Sequence, residues 1–162
     1  MRKIIRWLGV VLSAALAVIV ILAVGLFFMI RGGSALDAES KAYVDDAVVA
    51  ISAHWDRKEL TSRASPELKQ KLKPAELDSL FDALSTGLGP LVEYRGAKGQ
   101  ATIASTIGTG TTRTANYVAG ARYQRGEAEI RISLIKLEDH WLIQGFFVNS
   151  NALLSNLAGR KS

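Results

Sequence analysis

An α+β domain behind a membrane-spanning helix is the fold class this chain predicts. Three helices would pack on one face of a curved antiparallel sheet of about four strands. Three observations predict it. Residues 7–30 contain no ionisable side chain. Residues 35–86 carry helix-start signals and apolar stripes of helical period. From Leu91 onward apolar residues recur at alternate positions between glycine-containing turns.

The apolar run is 24 residues long. At ~1.5 Å rise per residue it covers about 36 Å, enough to cross a hydrocarbon core of roughly 30 Å with some tilt. Trp7 stands at one boundary and Phe27 and Phe28 near the other. Ala15-Leu16-Ala17 has the small-x-small form of a signal cleavage site, but "VIVILAVGLFFMI" continues the run beyond it, which favours a retained anchor. Arg2, Lys3 and Arg6 precede the span and Arg31 alone follows it before Asp37 and Glu39. The positive-inside rule then assigns residues 1–6 to the cytoplasm, 7–30 to the bilayer, 31–35 to a linker, 36–158 to an extracytoplasmic domain and 159–162 to a basic tail. The expected location is a bacterial inner membrane with the domain in the periplasm. The chain has no cysteine, which excludes a lipid-modified cysteine anchor and suits an extracytoplasmic domain large enough to fold without disulfides.

A pI near 9.6 invites a nucleic-acid reading, but the distribution of charge removes it. Of the 20 Lys and Arg, four lie in residues 1–31, leaving 16 interspersed with all 15 acidic residues in the remainder. No basic stripe of the kind a nucleic-acid surface needs is evident, so no nucleic-acid partner is expected.

Ser34 followed by Asp37 resembles a capping box for a helix over about 35–57, whose inner stripe is Val44, Ala47, Val48, Ile51 and Trp55. "SPEL" at 65–68 starts a second helix, about 66–72, with Ser65 as N-cap and Pro66 in the first turn. Pro74 starts a third, about 74–86, with Leu77, Leu80, Phe81 and Leu84 inward and Gly87 as the stop.

Turns then fall at "AKG", "GTGT", "QRGE" and "LEDH". A two-residue turn at Arg125-Gly126 sets Ala119 opposite Ile132 and Arg122 opposite Glu129. A turn at Glu138-Asp139 sets Leu134 opposite Ile143, Ile132 opposite Gly145 and Ile130 opposite Phe147. Both hairpins place Ile130, Ile132 and Leu134 on one face, and a slip of one residue would invert it.

"RASPEL" followed by "NYVAGARYQRGEAEIRISLIKLEDHWLIQGFFVNS" resembles the nuclear transport factor 2-like (cystatin-like) superfamily, and in particular small bacterial members ending in a W-x-I-x-G-F-type strand, here Trp141, Ile143, Gly145 and Phe146. The likeness covers roughly residues 38–150. It implies a cone of sheet closed by helices. It implies no single activity, because the superfamily holds isomerases, dehydratases, transport adaptors and secretion-system scaffolds.

The inner face, as core or pocket, would comprise Ile103, Tyr117, Tyr123, Ile130, Ile132, Leu134, Trp141, Ile143 and Phe147, with Ala119, Ala121, Ala128 and Gly145 between the large side chains. Enzymes of the superfamily need a base in that cone and a donor for a developing oxyanion. Tyrosines could donate, but Glu127 and Glu129 have the wrong parity; Asp82 and Glu93 are the carboxylates left open. His54 and His140 have no metal-site spacing, Asp45-Asp46 reads as a solvated helix surface, and neither "GAKG" nor "GTGTT" is a phosphate loop. No cofactor, metal or catalytic residue is expected.

The opposite face would carry Val118, Arg131, Ile135, Leu142, Phe146 and Val148, with Arg131 opposite Phe146. Either "NALLSNLA" at 151–158 folds back over this patch, or the patch is a surface for a second copy or an envelope protein. The reading that follows is a membrane-anchored, non-catalytic module for protein interaction or envelope-complex assembly. The alternatives are a small apolar ligand-binding domain and an isomerase- or hydrolase-like enzyme.

Overall fold

The computed structural model describes residues 35–106 and 110–152. The span at 7–30, the Ser34 cap, the tail at 159–162 and Leu153, Leu154 and Leu157 lie outside them. Among the described residues no helix is long and apolar enough to cross a membrane.

Helix α1 covers 35–52, and its stripe of Val44, Ala47, Val48 and Ile51 is completely buried. Burying each such Val or Ile stabilises by about 1.5–3 kcal/mol. The helix stops five residues earlier than its apolar period suggests. Residues 53–55 form a turn in which Trp55 takes a left-handed backbone, φ 56°. Asp56 then caps a separate helix, α2 (Arg57–Arg63), by accepting from the Lys58 amide at 2.8 Å. There are therefore four described helices, not three. The stripe ran smoothly through Trp55, so periodicity concealed the break, although Asp56 with Glu59 three residues on is an N-cap signature.

Helix α3 (Pro66–Lys71) begins as expected, with Ser65 Oγ accepting from the Leu68 amide at 3.2 Å. Helix α4 (Pro74–Leu88) buries Leu77, Phe81, Leu84, Gly87 and Leu88. It runs past Gly87 to Gly89, whose φ of 74° closes it. Leu80, expected inward, is 52% exposed.

Strands β1 (Leu91–Thr106), β2 (Gly110–Tyr123), β3 (Gly126–Leu137) and β4 (His140–Asn149) pair antiparallel in the order β1-β2-β3-β4, an open sheet with the helices on one face. "AKG" is no turn but lies within β1, where two bulges and Gly96 at φ 83° bend a 16-residue strand. The β2–β3 turn is Gln124-Arg125, one step earlier than expected, so Ala119 meets Ile130 and Arg122 meets Glu127. The Gln124 and Arg125 amides donate to Pro90 and Leu88 carbonyls at 3.1 and 2.9 Å, which anchors the turn to the end of α4. Gly126 instead accommodates Ala152, whose Cβ lies 2.8 Å from where a Gly126 Cβ would be. The displacement is an even number of pairing steps, so every inward residue of β2 and β3 keeps its face. The β3–β4 turn is Glu138-Asp139, with φ of 46° and 65°.

In β4 Leu134 meets Ile143, then Ser133 meets Gly145, leaving Gln144 as an extra residue. Beyond this bulge the faces exchange. Phe146 and Val148 pair with Ile132 and Ile130 on the helix side, while Phe147 pairs with Arg131 on the open side.

Helix α1 also closes part of the outer edge of β1. Asp45 Oδ1 accepts from the Ala97 amide at 3.2 Å and the Tyr94 hydroxyl at 2.6 Å, and Asp37 Oδ1 accepts from the Ala101 amide at 2.6 Å. Asp45 is therefore a tertiary tie, not a merely solvated helix residue. Burial alone would raise its pKa, but hydrogen bonds from Lys41, Tyr94 and Ala97 outweigh that and hold the carboxyl below its usual range. A depressed folded pKa means stability that is present above the unfolded value and is lost as pH falls through the folded one. Asp45→Asn should cost about 1–2 kcal/mol at pH 7, at the low end for charge-assisted bonds because a third of the side chain is exposed. The gap to wild type should narrow as pH drops below 4, measured by urea unfolding at several pH values. A gap independent of pH would contradict the assignment.

Candidate functional site

The helix-facing side of the sheet is filled by side chains. Tyr117, Tyr123, Ile130, Ile132, Leu134, Trp141 and Ile143 are buried, as are Ala119, Ala121 and Ala128. Phe147 and Ile103, expected here, are 68% and 53% exposed. Phe147 is on the other face because of the bulge. Ile103 keeps inward parity, opposite exposed Arg113, but sits where β1 runs out beyond the covered part of the sheet. Gly145, also expected inward, pairs with Ser133 on the open face.

The tyrosine hydroxyls considered as donors are engaged or enclosed. Tyr117 Oη lies 2.9 Å from Ser40 Oγ and donates to the Asp37 carbonyl at 3.1 Å. Tyr123 stacks on Trp55 with ring centroids 5.0 Å apart. Among the described residues its hydroxyl and the buried Ser52 hydroxyl have no partner within hydrogen-bond geometry. Burial pushes the Tyr123 phenol up, against a smaller opposing influence of Ser52, so it stays protonated. Of the two carboxylates whose direction was open, Asp82 is exposed on α4, and Glu93 lies on the far face, accepting from Arg122 at 3.1 Å. His54 and His140 are exposed, and His140 Nδ1 lies 2.8 Å from the Glu138 carbonyl. Among the described residues no three His, Asp or Glu are grouped to hold a metal.

The open face carries a different chemistry. One cross-strand row runs Phe147, Arg131, Val118, Lys98. Val118 is 40% exposed, and Ile135 and Leu142 sit half-buried as a pair two rows further along the same face, beyond Ser133 and Gly145. Arg131 lies opposite Phe147, not Phe146, and its Nε donates to Glu129 at 3.0 Å. Gly145 permits the placement of Phe147, since a Cβ there would stand 3.1 Å from the ring and 2.6 Å from Ser133 Oγ. A shallow groove of about 690 Å³ follows the row, bounded by Lys98, Asn116, Arg131 and Phe147.

Comparison with protein families, with curated proteins and with solved structures finds no match to this chain.

The candidate face is therefore kept at Val118, Arg131, Ile135 and Leu142, loses Phe146 and Val148 to the helix side, and gains Phe147. At the end of the sheet near the β2–β3 turn the same face becomes a charge ladder, with Arg95 bonded to Glu127 at 2.6 Å and Arg122 to Glu93. The open face thus sets the exposed Phe147 ring beside Arg131, with Val118 beyond it and charged residues around them.

Proposed function

We propose that this chain is a membrane-anchored extracytoplasmic module of nuclear transport factor 2-like fold, whose open sheet face binds an envelope protein and which performs no catalysis itself. Phe147 carries the reading. A large ring stands 68% exposed at the β4 end of a mixed apolar and cationic row, an aromatic anchor with a charged surround of the kind protein contacts use. The inner face supports a structural role, since its side chains are packed against α1 and its Tyr117 hydroxyl is spent on that helix. The anchor rests on the 24-residue apolar run and the Arg2, Lys3 and Arg6 cluster, and the periplasmic side follows from the positive-inside rule.

The test is a photo-crosslinking amino acid at position 147 in cells, with one at exposed Leu80 as reference. The expected result is a discrete adduct from position 147 alone, lost in an Arg131→Glu background that keeps the wild-type melting curve. Equal, diffuse labelling from both positions would remove the interface. A C-terminal reporter active in the cytoplasm would remove the location.

A further inference from the structure

Among the described residues the two outer edges of the sheet are closed in different ways, and one end of β1 has no cover. At β4 the α2–α3 connection occupies the edge: Ala64 bridges Ile143, and the Ser65 amide donates to the Ile143 carbonyl at 2.8 Å. At β1 the carboxylates of Asp45 and Asp37 take the outward amides of Ala97 and Ala101, standing in for a neighbouring strand. Outward amides recur every second residue along an edge strand. The register from Ala97 to Thr106 has no further bulge, so Ile103 and Ser105 also direct their amides outward, past the last carboxylate. Thr102, Ile103, Ala104 and Ser105 are all exposed, and among the described residues no strand pairs with β1 on that side.

Edge strands are normally blunted by lysine, proline or an inward charge. Between Lys98 and Arg113 there is no charged residue and no proline. Thr102–Thr106 is thus an uncharged strand edge with no cap among the described residues, bounded by the Asp37 cap on one side and the end of β1 on the other.

We propose that this edge pairs with its own copy, the β1 strands of two chains running antiparallel about a two-fold axis at Ala104. The occupant follows from the length and charge of the edge. A two-fold pair centred there matches five open positions with five, sets Ile103 opposite Ser105 of the second copy, and brings no like charges together. It also leaves the amide of Ala101 with Asp37. Ile103 of each chain becomes a diagonal neighbour of the other, covering a side chain that is 53% exposed in the single chain. The surface is separate from the Phe147 row and stands whether or not an envelope protein binds that row.

The chain has no cysteine, so a single introduced thiol reports cleanly. In an antiparallel pair, facing residues whose amides point away bring their Cβ atoms close enough for a disulfide. The full chain in mild detergent, carrying Ala104→Cys, should form a covalent dimer under mild oxidation far faster than one carrying Leu80→Cys, another exposed position. Ala104→Lys sets two ammonium groups across the axis and should shift the mass by light scattering from dimer to monomer, with an unchanged melting curve. A wild type that is monomeric at all concentrations would overturn the proposal, as would equal crosslinking at 104 and 80, or a dimer that survives Ala104→Lys. Capture of a different protein at position 104 without any dimer would equally overturn it, assigning the edge to a foreign strand.

Discussion

Trp55→Ala is expected to remove about 3–5 kcal/mol of stability, a large part of the 5–15 kcal/mol typical of a whole domain. Trp55 is 5% exposed, its ring stacks on Tyr123, and its Nε1 donates to the Gly89 carbonyl at 2.8 Å. Those contacts hold a bulky residue at φ 56°, a region such side chains rarely visit, in the turn that redirects the chain from α1 into α2. The residue therefore joins the end of α1, the C-cap of α4 and the turn end of β2. Truncation loses the buried ring, opens a cavity and leaves the Gly89 carbonyl without its donor. Trp55→Phe separates these effects: it keeps an aromatic face for Tyr123 but not the hydrogen bond, and should cost about 1–3 kcal/mol. Urea unfolding followed by far-ultraviolet circular dichroism measures both. An Ala variant within about 1 kcal/mol of wild type would show that the turn is held by something else.

Gly99→Ala should be nearly as damaging, although it adds one methyl group to a partly open strand. A Cβ at position 99 would stand 2.0 Å from the Asn116 carbonyl oxygen and 2.7 Å from the Tyr117 Cα, both backbone atoms of the paired strand. No rotamer change relieves that contact, so β1 must move away from β2. The expected loss is about 2–3 kcal/mol, in the range of core overpacking. The amides of Ala97 and Ala101 should also lose hydrogen-exchange protection, because they flank position 99 and are the two held by α1. Gly96→Ala is the contrast. Nothing lies within 4 Å of a Cβ there, and only the φ of 83° opposes a side chain. That cost is conformational, about 1 kcal/mol, and should leave strand pairing intact. Equal losses at both glycines would refute the steric account of Gly99.

The two glycines were indistinguishable in the sequence, where "GAKG" read as a turn. A turn and a bulge both ask for a residue tolerant of positive φ, and no local pattern separates them. The same limit explains Asp45. An acidic residue on the polar flank of an amphipathic helix looks solvated until a strand edge is placed beside it. The candidate face suffered most. "WLIQGFFV" has apolar residues at both parities around Gly145, so simple alternation returned Phe146 outward and Phe147 inward. The bulge at Gln144 reverses them, and the proposed contact surface moved by one residue.

By itself the sequence determined the α+β class, the order of helices before strands, the N-cap at Ser65, and the common inward face of Tyr117, Tyr123, Ile130, Ile132 and Leu134. Each of these depends on period or on a cap, which are local, and a turn misplaced by one residue shifts the pairing by two and leaves the faces unchanged. The β2–β3 turn shows it: a shift of an even number of steps left every residue on its face. Tertiary structure alone decided where α1 breaks, which carboxylates close the β1 edge, how far that closure extends, and which phenylalanine of β4 meets solvent. Those outcomes depend on one inserted residue or one contact between segments distant in the chain, and a single insertion inverts everything beyond it.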